Sequence, residues 1–194
     1  MGLKLNGATS GSIELDPQAA LGSDRVITLN ATGDSTLTLP DANGTLDRLE
    51  RAGNILQVVQ NTNSTSTAVT DTTYADSSLS ASITPSSTSS KILIIISQTG
   101  HVYSTTGSNR WGSLRIMRDS TEIHEIEQAL GGRGGLSGGD RSDSASISVT
   151  FLDSPSTTSS VTYKTQGKVS GSLSNYTFQV SGSTSVITLL EVAG

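Results

Sequence analysis

Along most of this chain apolar and polar residues alternate one for one, the signature of strands with one buried face. In the first part "LKLNG", "SIELD", "RVITLN" and "STLTLP" set Leu3 and Leu5, Ile13 and Leu15, Ile27 and Leu29, and Leu37 and Leu39 on a common side. Asn6-Gly7, Asp16-Pro17, Thr32-Gly33-Asp34 and Pro40-Asp41 punctuate these strands as turns. Strands this short, with a single thin apolar face, need a partner layer, and neighbouring copies of the chain are the expected source. "GTLDRLERAG" then offers Thr45 as a helix cap, Leu46 and Leu49 on one side and Gly53 as a stop. It reads as a two-turn hinge, or as a plain strand-connecting turn.

From Asn54 the strands lengthen: "ILQVVQ", "SLSASITP", "KILIIIS", "SLRIMRD", "TEIHEIE", "SASISVTFLD", "VTYKTQGKV", "YTFQV" and "VITLLEV". Eight or nine strands with turn signals between them predict an antiparallel β-sandwich of jelly-roll type. "KILIIIS" is apolar at consecutive positions, which predicts a central strand covered on both faces. "SASISVTF" alternates, with Ile147, Val149 and Phe151 pointing inward. The predicted organisation is all-β: residues 1–46 as a module of short β repeats, which the resemblance described below makes a shaft-like attachment module of a trimer, 47–53 as a short helical hinge, and 54–194 as the sandwich domain.

Two connectors nearly repeat each other. "TPSSTSSKILIIIS" and "SPSTTSSVTYKTQ" each run a proline and a series of Ser and Thr residues into a strand. Pro85 and Pro155 each end a strand by withholding an N–H, and the hydroxyl run leads to the next. Equivalent loops at one end of a sandwich explain the repetition, and convergent low complexity is the competing explanation.

Composition narrows the functional classes. Ser and Thr make up about three residues in ten, which favours pleated surfaces over helices. Only 4% of the 194 residues are aromatic, so Val, Ile and Leu are expected to fill a thin core. The net charge of −5, without a basic run, argues against nucleic-acid binding. With no cysteine there are no disulfides and no thiolate metal sites. The start "MGLKLNGATSG" lacks the basic and apolar regions of a signal peptide. The longest apolar run, "ILIII", is far short of the roughly 20 residues that span a bilayer. Neither membrane insertion nor a cofactor is expected.

Candidate chemistry is sparse. Gly135-Leu-Ser137-Gly-Gly139 matches the nucleophile-elbow pattern but lies in a glycine-rich loop, without the strand and helix that would expose a strained serine. His124, with Glu122 expected on its own face and Glu125 and Glu127 on the other, offers too few ligands for a metal. His101 reads as a satisfied surface residue. No catalytic, cofactor-binding or metal residue is assigned. What remains is a recognition surface. Trp111 borders the loop "STTGSNR" and serves either core packing or stacking on a sugar, and Arg133 and Arg141 flank the glycine-rich loop.

At "LPDANGTL" short β segments close on Leu-Pro-x-x-x-Gly-Thr-Leu, which resembles the shaft and adaptor repeats of tailed-phage fibre proteins. "ILQVVQ", "ITPSSTSSKILIIIS", "LRIMRDSTEI", "FLDSPSTTSSVTYKTQ" and "STSVITLLEVA" resemble a C-terminal domain of tail-fibre and related structural proteins of marine tailed phages, cyanophages among them. The resemblance implies a non-enzymatic virion protein, assembled in the host cytoplasm as a homotrimer. It would join other virion proteins of tail or capsid through its N-terminal module and meet a host-surface glycan or receptor. The shaft-like repeat begins at residue 3, where typical fibres carry a longer anchoring module. A capsid decoration or head-fibre protein is the alternative, and a glycan-processing enzyme the third.

Overall fold

The computed structural model describes residues 52–104, 110–132, 141–170 and 175–194. The chain divides into two units, Met1–Leu46 and Asp47–Gly194, and the described residues all belong to the second. The expected shaft module therefore lies outside the described residues. So does the expected hinge, except for Ala52 and Gly53, which form a turn.

The described residues are all-β, with antiparallel pairing throughout. The strands are β1 (Ile55–Asn63), β2 (Thr67–Val69), β3 (Ala75–Ile83), β4 (Lys91–Ser104), β5 (Arg110–Arg118), β6 (Thr121–Gly132), β7 (Arg141–Asp153), β8 (Val161–Val169), β9 (Asn175–Phe178) and β10 (Ser185–Val192). In the first sheet the order is β1-β10-β4-β9-β2, with β7 on the other side of β4. The second sheet runs β3-β8-β5-β6. The first half of β4 pairs with β10 and the second half with β9. β9 and β10 thus lie end to end along one side of β4, separated by a 3-10 turn at Val180–Gly182.

One hydrophobic cluster joins the two sheets into a sandwich. Ile92, Ile94 and Ile96 of β4 point into it, with Ile187 and Leu189 beside them and Leu79, Leu114 and Ile116 from the facing sheet. Ile147 and Val149 are buried and Phe151 is half-buried against the cluster, in the phase that the alternation of β7 predicts.

Two expectations are corrected. The core is not merely aliphatic: Tyr163, Tyr176 and Phe178 are its largest fully buried side chains. Tyr176 and Phe178 of β9 tilt against each other with ring centroids 4.3 Å apart. They fit because the opposite sheet presents bare backbone to them. A Cβ on Gly112 would lie 2.4 Å from the Tyr176 ring, and one on Gly167 2.5 Å from the Phe178 ring. The second correction concerns β4. It is central in its sheet, but its residues are not covered on both faces. Ile92, Ile94 and Ile96 are buried, whereas Leu93 is half-buried and Ile95 is 41% exposed on the outer face.

The registers explain the repeated connector. Ile83, the end of β3, faces Val161, the start of β8, while Ile92 near the start of β4 faces Asp153, the end of β7. Segments 84–90 and 154–160 therefore lie at one end of the sandwich, crossing between the sheets in opposite directions. Each proline stands two residues beyond a strand end. The hydroxyl run also makes a specific anchor. Ser86 gives both its N–H (2.7 Å) and its hydroxyl (2.6 Å) to one oxygen of Glu191, while the Gln57 amide (2.6 Å) holds the other. Glu191 is 1% exposed. At the same end Asp153, the last residue of β7, accepts Arg118 at 2.9 Å and the Tyr163 hydroxyl at 2.7 Å, clamping sheet to sheet.

One side of the sandwich is laced by amides. Gln57, Asn61 and Asn63 of β1 donate to the backbone carbonyls of Thr84 (2.7 Å), Ser80 (2.8 Å) and Ser78 (2.8 Å) along the outer edge of β3. An edge strand with unpaired carbonyls invites further pairing; Asn61 and Asn63 occupy two of those of β3, and Gln57 takes the one just past its end.

Two outcomes test this account. Gly112→Ala is expected to cost roughly 1–3 kcal/mol by forcing the Tyr176 ring from its seat, seen as a lower urea midpoint at unchanged slope. For Glu191, burial pushes the carboxyl up, but hydrogen bonds from Ser86 and Gln57 outweigh it and bring the pKa down to about 2. Folding thus favours the carboxylate. Its contribution is complete above the ordinary value of 4.5 and is lost as the pH falls towards 2. Glu191→Gln should lower stability at pH 7 by about 2 kcal/mol, and the gap to the wild type should close between pH 5 and about 2.5 in urea titrations.

Candidate functional site

At the end opposite the connectors the strand order brings together the backbones of Trp111 and Arg141, two of the three residues singled out by sequence for recognition. This end comprises the end of β4, the starts of β5 and β7, the end of β6 and the start of β9. Trp111 lies at the start of β5, half-buried, with its backbone opposite Gly131. Its N–H donates to the Ser170 hydroxyl at 2.9 Å, and its carbonyl accepts the Ser170 N–H at 2.9 Å. Because Gly112 turns inward against Tyr176, alternation places Trp111 on the outer side of its sheet. Arg141 opens β7 opposite Ser104. Arg133 and Ser137 lie outside the described residues, two and six positions beyond Gly131 in the chain.

The outer face of the β3-β8-β5-β6 sheet carries a charged lattice that sequence reasoning did not anticipate. Its centre is Tyr74, immediately before β3. The Arg115 guanidinium lies 4.1 Å and the Lys168 ammonium 4.5 Å from the centroid of its ring, on the scale of cation–π contacts. The Tyr74 hydroxyl donates to Glu125, which also accepts Lys168 at 3.1 Å. Arg115 bridges Glu122 at 2.8 Å and Gln166 at 2.8 Å, and Lys164 bridges Asp76 at 2.9 Å. Burial, and then the hydrogen bond to Glu125, push the Tyr74 phenol up. The Tyr74 hydrogen bond, and after it Lys168, hold the Glu125 carboxyl down. No signal in "TDTTYADS" points to this arrangement, because Arg115 and Lys168 reach Tyr74 only through the pairing of β8 with β3 and β5.

The lattice also revises the expected faces of β6. A register shift between Ile116 and Met117 inserts one extra residue, so that His124 faces Ile116 while Glu122 faces Met117. Glu122 consequently joins Glu125 and Glu127 in contact with Arg115 and Lys168 on the outer face. His124 turns to the other side and stacks on Phe151, centroids 5.1 Å apart. The pairing of Glu122 with His124 on one face is therefore broken. Among the described residues no group of three or more His, Cys, Asp or Glu side chains is placed to hold a metal. His101 accepts or donates at Nε2 to the Ser142 hydroxyl, 2.7 Å away.

At the connector end a cavity of about 310 Å³ is lined by Leu56, Ser86, Ser87, Ser89, Ser90, Ala193 and Gly194. That is the lower end of the size range of small-molecule sites, and its lining is mostly hydroxyl and backbone. Among the described residues no helix is long and apolar enough to cross a membrane. No protein-family model matches the chain, and no curated protein matches it.

Tyr74→Phe keeps the ring and removes the hydroxyl. It should raise the pKa of the Glu125 carboxyl towards its ordinary 4.5, followed by the side-chain carbon shift in an NMR titration, with under about 1 kcal/mol lost in stability.

Proposed function

We propose that this chain is a non-enzymatic structural protein of a tailed-phage particle, of fibre or appendage type, acting as a homotrimer in assembly and host-surface attachment. The observation that carries the reading is the strand order. Counting β1 with β2 and β9 with β10 as single interrupted strands, the layers read β1-β10-β4-β7 against β3-β8-β5-β6. This order supports an eight-stranded jelly roll, an architecture recurrent in viral capsid and lectin domains. Fold alone does not assign function. The particle type rests on the resemblance of "ITPSSTSSKILIIIS", "FLDSPSTTSSVTYKTQ" and their neighbours to tail-fibre domains.

In this reading residues 1–46 join other virion proteins, and Trp111, Arg133 and Arg141 meet a host-surface glycan or receptor. Presenting identical weak sites on one rigid assembly sums them into firm attachment. The connector end, fixed by Glu191, Asp153 and Arg118, supplies the rigidity.

Copy counting tests the assignment. A fibre is expected in a few trimers at the tail, seen by electron microscopy of particles labelled on this chain. Hundreds of copies spread over the shell would instead make it a capsid decoration protein, and no copies would remove it from the particle. Removing residues 1–51 should leave a folded sandwich that no longer joins the particle, assayed by circular dichroism and by particle incorporation. Loss of folding would count against the separate sandwich.

A further inference from the structure

The two outer faces of the sandwich differ in kind. One carries the lattice of Arg115, Lys168 and their carboxylate partners. The outer face of the β4 sheet is nearly free of charge. Its registers place Val58, Leu190, Leu93 and Leu152 opposite one another in a single row across all four strands. Val58 is 59% and Leu152 48% exposed, and Ile95 stands beside the row. Beyond it, β7 and β4 contribute hydroxyls: Thr150 faces Ile95, and Ser148 faces Ser97. On this side β4 and β10 carry only two acids or bases, Lys91 at the connector end and His101 at the other, the latter bonded to the Ser142 hydroxyl. Among the described residues nothing covers this face.

We infer that the outer face of the β4 sheet is the surface through which copies of this chain pack on one another. The inference rests on the homotrimer reading above and names its contact.

Three features select a second copy as the occupant. Each copy has a net charge of −5, so self-association must use a surface that sets no like charges opposite one another, and this face meets that requirement. Hydroxyls both donate and accept, so a Ser/Thr surface is complementary to its own image, whereas an ionic surface is not. The dimensions also fit. Four strands roughly 4.8 Å apart and the 14 residues of β4 at about 3.3 Å each give a face of about 900 Å², close to the ~800 Å² per partner of a stable association. Gathered about the threefold axis of a trimer, the apolar rows of the three copies exclude water from one another.

The test uses the full chain and its natural lack of cysteine. Sedimentation velocity at micromolar concentration is expected to show an oligomer for the wild type. Ile95→Lys should weaken association at least tenfold with the circular dichroism spectrum unchanged, while Thr162→Lys on the other sheet should leave it as it was. Should Ile95→Lys fail to fold, Ile95→Cys and Thr162→Cys give the same information by reaction with a maleimide. The thiol at position 95 should react at least tenfold more slowly than the one at position 162, and dilution to the single-copy state should abolish the difference. An oligomer indifferent to Ile95→Lys, or equal thiol rates within it, would overturn this surface and leave the homotrimer standing. A wild type that stays single-copy would overturn both, and a protected position 95 in that species would mean that another part of the same chain covers the face.

Discussion

A strand shows its side chains alternately to two faces, so one layer of protein can bury only half of an unbroken apolar run. In β4 that constraint splits five consecutive residues. Ile92, Ile94 and Ile96 lie at most 1% exposed in the core, and Leu93 and Ile95 face outward on the same strand. Everything else in the fold is arranged around this strand. β10 and β9 share one side of it and β7 takes the other, while the facing sheet closes over its inner residues. The outer residues are left facing away from the core.

The inner layer is completed by a size match. Few aromatic residues are present, but two of them, Tyr176 and Phe178, stand on consecutive inward positions of β9 and reach the backbone of the opposite sheet. Glycine at positions 112 and 167 makes that approach feasible, since any Cβ would overlap the rings. A polar thread also crosses this core: Gln98 of β4 donates to Ser77 of β3 at 2.8 Å, and Ser77 shares a hydrogen bond with Thr165 of β8. All three are fully buried, so a slip in how the sheets face each other would strand them without partners.

The periphery is handled by chemistry of different kinds. Amide side chains of β1 occupy carbonyls on the β3 edge, a buried carboxylate holds one serine-rich connector, and an Arg–Asp–Tyr group clamps the sheets at the same end. The opposite end carries Trp111 and the start of β7, separated from the clamps by the length of the strands.

Sequence by itself determined the class and nine of the ten described strands, because alternation and turn residues are local properties; the three-residue β2 (Thr67–Val69) is too short to show a period and was missed. All nine of the longer segments read from Ile55 onward appear as strands, and the repetition of the two connectors marks the end at which they lie side by side. The inward phase of β7 was equally legible, since Ile147, Val149 and Phe151 alternate with hydroxyls. Tertiary structure alone decided what depends on register between distant strands. The seating of Tyr176 against Gly112, the placing of Tyr74 between Arg115 and Lys168, and the turning of His124 away from Glu122 by one extra residue in β6 are of this kind. The row of Val58, Leu190, Leu93 and Leu152 is the fullest case: four residues spread between positions 58 and 190 become neighbours only when four strands align, and no local pattern carries that information.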